Sequence, residues 1–362
     1  MARAATQPLV TAAATQAERV RVRRPSWPAL LAASAFLLAA VLTGLFVGPV
    51  GIGLGSIVEA AVSHVPFLGV KSHLSQADSA ILWQLRAPRV VLGLLVGGML
   101  ALAGGAYQGV FRNPLVDPYL LGVAAGAGLG ATIVIAYASH AADSYDLLPL
   151  AAFAGAAVGV ALAYALGASA ATAGNPAALV LAGVTVVSFL TAVQTFIQQQ
   201  HAQTLQQVYS WILGSVDTAG WHDVLLALPY VAVASVVLLF HRRVLDVLAV
   251  GDDEAATLGV NVRRVRLTIV IFATIGTAAV VAVSGLIGFV GIIVAHFVRL
   301  AVGSSYRIVL PLSLILGGAF LVLCDVIART VISPGELPIG VVTAFFGAPF
   351  FAVVLRTSRT FR

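Results

Sequence analysis

Between Leu267 and Val298 the chain runs for 32 residues without a single Asp, Glu, Lys or Arg. As one helix this run would measure about 48 Å. That exceeds the roughly 30 Å of a bilayer's hydrocarbon and falls short of two full crossings. The run has company. Apolar stretches able to cross recur near 27–48, 90–110, 119–137, 147–167, 177–197, 223–240, 267–286, 287–302, 307–329 and 338–355. Only 9% of the 362 residues are charged and 60% are apolar, whereas a soluble domain carries about 25% charge. Soluble enzymes, DNA-binding domains and disordered scaffolds are excluded. An all-α, polytopic membrane protein is expected.

The long uncharged run decides the number of crossings, and arginine placement arbitrates, because basic residues concentrate in cytoplasmic loops. Counting the run as two spans makes ten, with both termini cytoplasmic. The inner side then holds 16 of the 20 basic residues, and the outer side keeps Lys71, Arg86, Arg89 and Arg329. Counting it as one span lowers the split to 12 against 8. Ten spans are therefore expected: a basic cytoplasmic tail over 1–26, one membrane domain over 27–358 and a short tail over 359–362. Gly285, Gly288 and Gly291, with Ser284, fall at the junction of spans seven and eight. They suit a tight turn with close helix contact, or a broken helix beside a transport pathway.

Catalytic signals are absent from the sequence. It has no HExxH, no GxSxG and one cysteine, Cys324, so no catalytic residue and no metal site is assigned. There is no Walker A lysine either, since Lys71 follows Val70. If ATP drives this protein, ATP and Mg sit on another chain. The net charge of +6 is scattered between apolar runs, which argues for membrane orientation and lipid contact and against nucleic acid. Asp325 and His296 are the ionisable groups expected at membrane depth. They allow proton coupling, or Asp325 pairs with an arginine or a backbone group near a helix end.

The stretch 246–262 is the most informative loop. Gly251 precedes Asp252, Asp253 and Glu254, followed by Ala255, Ala256, Thr257, Leu258 and Gly259. Acidic residues suit a first helical turn and glycine suits the stop, so a helix of about two turns is predicted, with small apolar faces at Ala255, Ala256 and Leu258. It fits a protein partner or a solvated connector, and not the anionic inner leaflet. Arg86-Ala-Pro-Arg89 places two cations outside, with Pro88 suited to the first turn of the second membrane helix. A helix start disfavours cations, so lipid phosphate or a partner's carboxylates should compensate. Arg329 can snorkel. Asn113-Pro114 and Asp117-Pro118 predict a cytoplasmic turn around Leu115, and Asn175-Pro176 another before the fifth span. Thr191, Gln194 and Thr195 are uncharged polar residues in that span, suited to a pathway wall or to packing between helices.

At these residues the sequence resembles the FecCD family, the permeases of type II ABC importers for iron–siderophores, haem and cobalamin. The likeness covers about residues 80–358. It lies in LRAPRVVLGLLVGGMLALAGGAYQGVFRNPLVDPYLLGV (85–123), LVLAGV (179–184), VYSWILGS (208–215), LAVGDDEAATLGV (248–260), GLIGFVGIIVAHFVRL (285–300) and ELPIGVVTAFFGAPFF (336–351).

The resemblance implies a homodimer of ten-helix permeases in a bacterial inner membrane. Two ABC ATPase subunits bind below, and a periplasmic substrate-binding protein docks above. It implies that Arg86, Arg89 and Arg329 meet acidic residues of the binding protein, and that 246–262 seats in the ATPase. Asn113 and Leu115, with Asn175 and Pro176, fall at a cytoplasmic gate. The implied cargo is an iron compound, haem ahead of ferric siderophore and cobalamin third, an order no residue decides. Two departures stand out. Ala295 replaces the usual proline before His296, and the turn before the fifth span reads Ala-Gly-Asn-Pro-Ala.

Overall fold

A computed structural model of the chain describes residues 27–48, 50–63, 73–138, 144–169, 176–217 and 220–357. The tails over 1–26 and 359–362 and the gate candidate Asn175 lie outside the described residues. Those residues form helices and connecting turns, with no strand among them. In chain order they are α1 (Trp27–Phe46), α2 (Leu54–Ser63), α3 (Gln76–Ala80), α4 (Ala87–Val110), α5 (Val123–Tyr137), α6 (Ser144–Ser169), α7 (Pro176–Gln200), α8 (Leu205–Ile212) and α9 (Trp221–Phe240). There follow α10 (Arg242–Leu248), α11 (Asp252–Thr257), α12 (Val262–Ser284), α13 (Val290–Val302), α14 (Tyr306–Ala328) and α15 (Ile339–Thr357).

Seven helical stretches are long and apolar enough to cross a membrane. The predicted spans at 119–137, 287–302 and 338–355 correspond to shorter apolar helices. The shortest, α13, has 13 residues and rises only about 20 Å. The uncharged run from Leu267 is thus two helices, parted by the non-helical residues 285–289.

One long helix differs from its predicted start. The segment Gln76–Val110 is continuously helical, passing from α3 through a π-helical stretch Ile81–Arg86 into α4. Pro88 therefore lies inside a helix and does not open one. The widened turn just before it accommodates the missing N–H, as π-bulges do.

This helix forms the core. In its most apolar 18-residue stretch 83% of the residues are buried, against 17% for that of α1, so α4 is central and α1 peripheral. Without a hydrophobic force between helices in lipid, close packing of small residues must bring them together. A Cβ on Gly97 would drive into the carbonyl of Gly317 on α14, and one on Gly126 of α5 into that of Gly155 on α6. Backbone–backbone contact at both places requires the missing side chain. The groups α4–α12–α13–α14 and α5–α6–α7 follow from these contacts. Large apolar residues left on the surface, such as Phe240, Phe345 and Leu181, fit a lipid-facing exterior.

The turn after α4 and the break after α12 meet. Short helices follow both, each entered through a left-handed residue, Gly122 before α5 and Phe289 before α13. The Tyr119 hydroxyl accepts the Ile287 N–H at 3.1 Å and donates to the Ile287 carbonyl at 3.1 Å. A single side chain satisfies the broken backbone of the other segment, as buried peptide groups require.

Candidate functional site

Polar chemistry concentrates at the two ends of this bundle. At one end lie the start of α4 and the end of α14. Arg89 donates from Nε to Asp325 Oδ1 at 2.9 Å and from Nη2 to the same oxygen at 2.8 Å. It also donates from Nη1 and Nη2 to the two Glu336 oxygens at 3.0 and 2.7 Å. This is the planar fork that guanidinium presents to carboxylates. Asp325 is 2% exposed and Glu336 36%. Arg329, one turn beyond Asp325 on the same helix, lies 3.6 Å from its carboxylate and donates to the Gly44 carbonyl at 2.6 Å. Arg86 donates to the Leu45 and Phe46 carbonyls at 2.9 and 3.1 Å, and also to that of Val50. It caps the end of α1 from a neighbouring helix, where a cation is favoured.

The sequence reading of these arginines needs correction. The expected counter-anions are inside the chain: Asp325 and Glu336 serve Arg89, and peptide carbonyls serve Arg86. Arg329 does not snorkel. It and Arg86 are each 4% exposed, because the end of α1 and its following residues cover them. Nor do Arg86 and Arg89 sit at a helix start, since helix continues back to Gln76. With three cations against two carboxylates the cluster keeps one net positive charge. The Asp325–Arg329 spacing of four was a visible signal for this pairing; Glu336, 247 positions from Arg89, offered none.

At the other end, the elbow forms as expected but shorter. Helix α11 covers Asp252–Thr257, and Gly259 closes it at φ +81° with its N–H on the Ala256 carbonyl at 2.9 Å. The apolar residues divide. Ala255 and Gly251 are buried, while Ala256 and Leu258 face out, Leu258 being 72% exposed. The acidic residues divide as well. Asp253 and Glu254 are exposed, but Asp252 turns inward, accepting from Arg266 Nη2 at 3.1 Å to both oxygens and lying 3.4 Å from Arg112 Nη2.

Beside it, Asp246 of α10 accepts from Ser305 Oγ at 2.8 Å and from the Tyr306 N–H at 2.6 Å. One helix thereby caps the start of α14 from outside, a role sequence reading missed because the partners lie about sixty residues apart. Arg299 donates to Gln108 and stands 5.5 Å over the Tyr306 ring.

The turn after α4 connects with this end. Asn113 Oδ1 accepts the Leu115 N–H at 3.0 Å, the Asx turn expected of Asn-Pro. Asp117 Oδ1 accepts the Tyr119 N–H at 2.8 Å. Burial pushes the Asp117 carboxyl up to about 6, and that N–H only partly offsets the effect. Asp117 and Tyr119 line a cavity of about 460 Å³ together with Val184, Val187 and Ser188 of α7 and Phe289. Of the residues proposed for a pathway wall, Thr191 and Thr195 lie on the exposed face of α7. Gln194 does not join them: it is buried against Gly128 of α5. Pro176 opens α7. His296 and Asp325 are not brought together. The His296 ring lies edge-on to Phe350, and Asp325 is held by arginines.

Comparison with known proteins fits this arrangement. Residues 36–357 match the FecCD transport family. An ABC transporter permease protein of Bacillus subtilis, YvrB, is 37% identical over 93% of this chain and 96% of its own length. The cobalamin import system permease protein BtuC of Halobacterium salinarum is 42% identical over 78% of this chain and 74% of that protein. The hemin transport system permease protein HmuU of Yersinia pestis is 34% identical, covering 85% and 92%. A solved structure described as an inward-facing metal-chelate type ABC transporter superposes with a TM-score of 0.79 at 27% identity, covering 91% of this chain and 99% of that one. The chain is a multi-pass membrane protein, and it belongs to the FecCD transport family.

Proposed function

We propose that this chain is the permease subunit of an ATP-driven importer that carries an iron compound, haem foremost, across a bacterial inner membrane by alternating access. The observation that carries the reading is the family match from residue 36 to 357, together with an acidic elbow exposed at one end of the bundle. Named relatives serve cobalamin, hemin and Fe(3+)-citrate import, so ferric siderophore and cobalamin are the alternative cargoes.

In this reading the chain makes ten crossings with both termini cytoplasmic and pairs with a second copy. The Asp325 end faces outward and the Asp252 end faces the cytoplasm. ATP and Mg belong to two partner ATPase subunits, which grip Asp253, Glu254, Ala256 and Leu258; Gly251, Ala255 and Gly259 shape the elbow. A periplasmic binding protein docks over Arg86, Arg89 and Arg329. Because Arg86 and Arg329 are buried, its carboxylate makes contact by exchanging with Glu336 at Arg89, while the other two supply field. Asn113 and Leu115, with Asn175 and Pro176, form the inner gate, and Thr191 and Thr195 line the pathway.

A proton-driven carrier working alone through Asp325 and His296 is the rival. It loses support because two guanidiniums engage the Asp325 carboxylate. Reconstitution decides between them: haem uptake into vesicles should require the companion ATPase and survive an ionophore. Uptake that stops when the proton gradient collapses, with ATP intact, would overturn the importer reading.

A further inference from the structure

The acidic elbow carries three carboxylates in its first turn, yet two of them face solvent and one faces the bundle. That one, Asp252, touches two other elements. Arg266, which it holds at 3.1 Å, stands in the first turns of α12. Arg112, at 3.4 Å, is the residue through which α4 leaves its helix and enters the Asn113–Pro118 turn.

Arg112 has φ +50°. For a residue with a long side chain this is a sparsely populated backbone state, held only where the surroundings over-determine it. Its N–H bonds to the Gly109 carbonyl and that of Asn113 to the Gln108 carbonyl, so the reversal is closed from within. The ion pair with Asp252 ties its side chain down from outside.

Beyond Arg112 the contacts continue without a gap. Asn113 fixes Leu115, Asp117 fixes the Tyr119 N–H, and the Tyr119 hydroxyl fixes Ile287 at the break between α12 and α13. A displacement of α11 has two exits, Arg266 into α12 and Arg112 into this turn. They converge again at Ile287, which follows α12 and bonds Tyr119.

We infer that Asp252 is the positioning residue that couples the elbow to the gate turn, passing motion of α11 through its Arg112 ion pair to the Asn113–Tyr119 segment. The inference rests on the reading that a partner ATPase grips this elbow. Arg263, exposed in the first turn of α12, carries the same charge as Arg112 and has no part in the elbow grip, which makes it a matched control. An ion pair at this exposure is weak as a structural tie. It suits a contact that is remade in each cycle.

The test uses the full complex with its ATPase in lipid. Cys324, the sole native cysteine, is buried, so Leu115→Cys gives a thiol at the gate turn that a water-soluble maleimide can report. In the parent, trapping with ATP and vanadate should change the labelling rate about tenfold, a typical coupling. With Asp252→Asn, or with Arg112→Gln, the change should shrink to about twofold, while ATPase co-purification and hydrolysis persist. Arg112→Lys, which keeps the charge, should restore most of it, and Arg263→Gln should leave it intact.

A full nucleotide response in Asp252→Asn and Arg112→Gln would overturn the inference and leave the elbow reading standing. An equal loss in Arg263→Gln would overturn it also, because removing any nearby charge would then suffice. Failure of the parent complex to bind the ATPase through the elbow would show itself beforehand, as co-purification retained in Leu258→Asp with no effect of nucleotide on any variant. That result would sink both.

Discussion

The two ends of the bundle use the same side chains for opposite purposes. Around Asp325 the Arg89–Asp325 pair is short, forked and buried, and with the bonds from Arg89 to Glu336 and from Arg329 to the Gly44 carbonyl it joins α1, α4, α14 and the segment before α15. Around Asp252 the pairs are longer and about a third exposed, with Arg112 at 38% and Asp252 at 35%. Burial raises both the cost of separating charges and the strength of their attraction, so a buried pair behaves as a fixed joint once formed. A half-exposed pair exchanges readily with water or a partner's groups. Charge type alone says little about which role a residue plays; depth decides.

The sharpest way to break this comparison is to remove the shared anion. Asp325→Ala leaves Arg89 with Glu336 alone and Arg329, beneath the end of α1, with no carboxylate in direct contact. The expected loss is about 3–5 kcal/mol, read as a fall in thermal unfolding temperature and in yield of folded protein from detergent. A variant that folded with unchanged stability would show that the Asp325 cluster is as loose as the Asp252 one. Arg86→Met should cost less, about 1–3 kcal/mol, since it uncaps α1 and buries three carbonyls without a donor. Proteolysis near residues 46–50 should accelerate in step. Asp252→Asn should fall within about 1 kcal/mol of the parent, the contrast that separates a joint from a contact.

Much of the architecture could be read from local signals. Apolar runs located the helices, and Gly259 after three acids located the elbow, because hydrophobic length and helix-end chemistry act within a few residues. The errors came from long-range geometry. Pro88 signalled a helix start, but a π-helical turn at Ile81–Arg86 let the helix continue. Arg86 and Arg89 suggested an external anion, because nothing local indicates that Glu336 folds back across α14 or that α1 ends over Arg86. Gln194 suggested a pathway wall on polarity alone, whereas the small Gly128 opposite it makes room for a buried amide. Asp246, which caps α14 across sixty residues, lies wholly beyond local inference.

The smallest expected effect concerns a carboxylate of a third kind, Asp117, which lies in the turn between α4 and α5 and faces an apolar cavity. Its folded-state pKa is raised from 3.8 to about 6. The protonated form is therefore the one the fold favours. Its contribution is fully present below about pH 4 and is lost as pH rises through about 6. At neutral pH the ionised group is a liability, tolerated because Oδ1 accepts the Tyr119 N–H. Asp117→Asn keeps that acceptor and removes the charge. It should raise the unfolding temperature by a small amount at about pH 8, with the gain shrinking as pH falls through about 6 and vanishing by about pH 4. A gain independent of pH would assign the effect to packing, and a loss at pH 8 would mean that the carboxylate is held by a cation, as Asp325 is. The outcome places the turn between α4 and α5 on one side of the comparison: a segment that gains stability when its carboxylate charge is removed, unlike the arginine-bound Asp325 and Asp252.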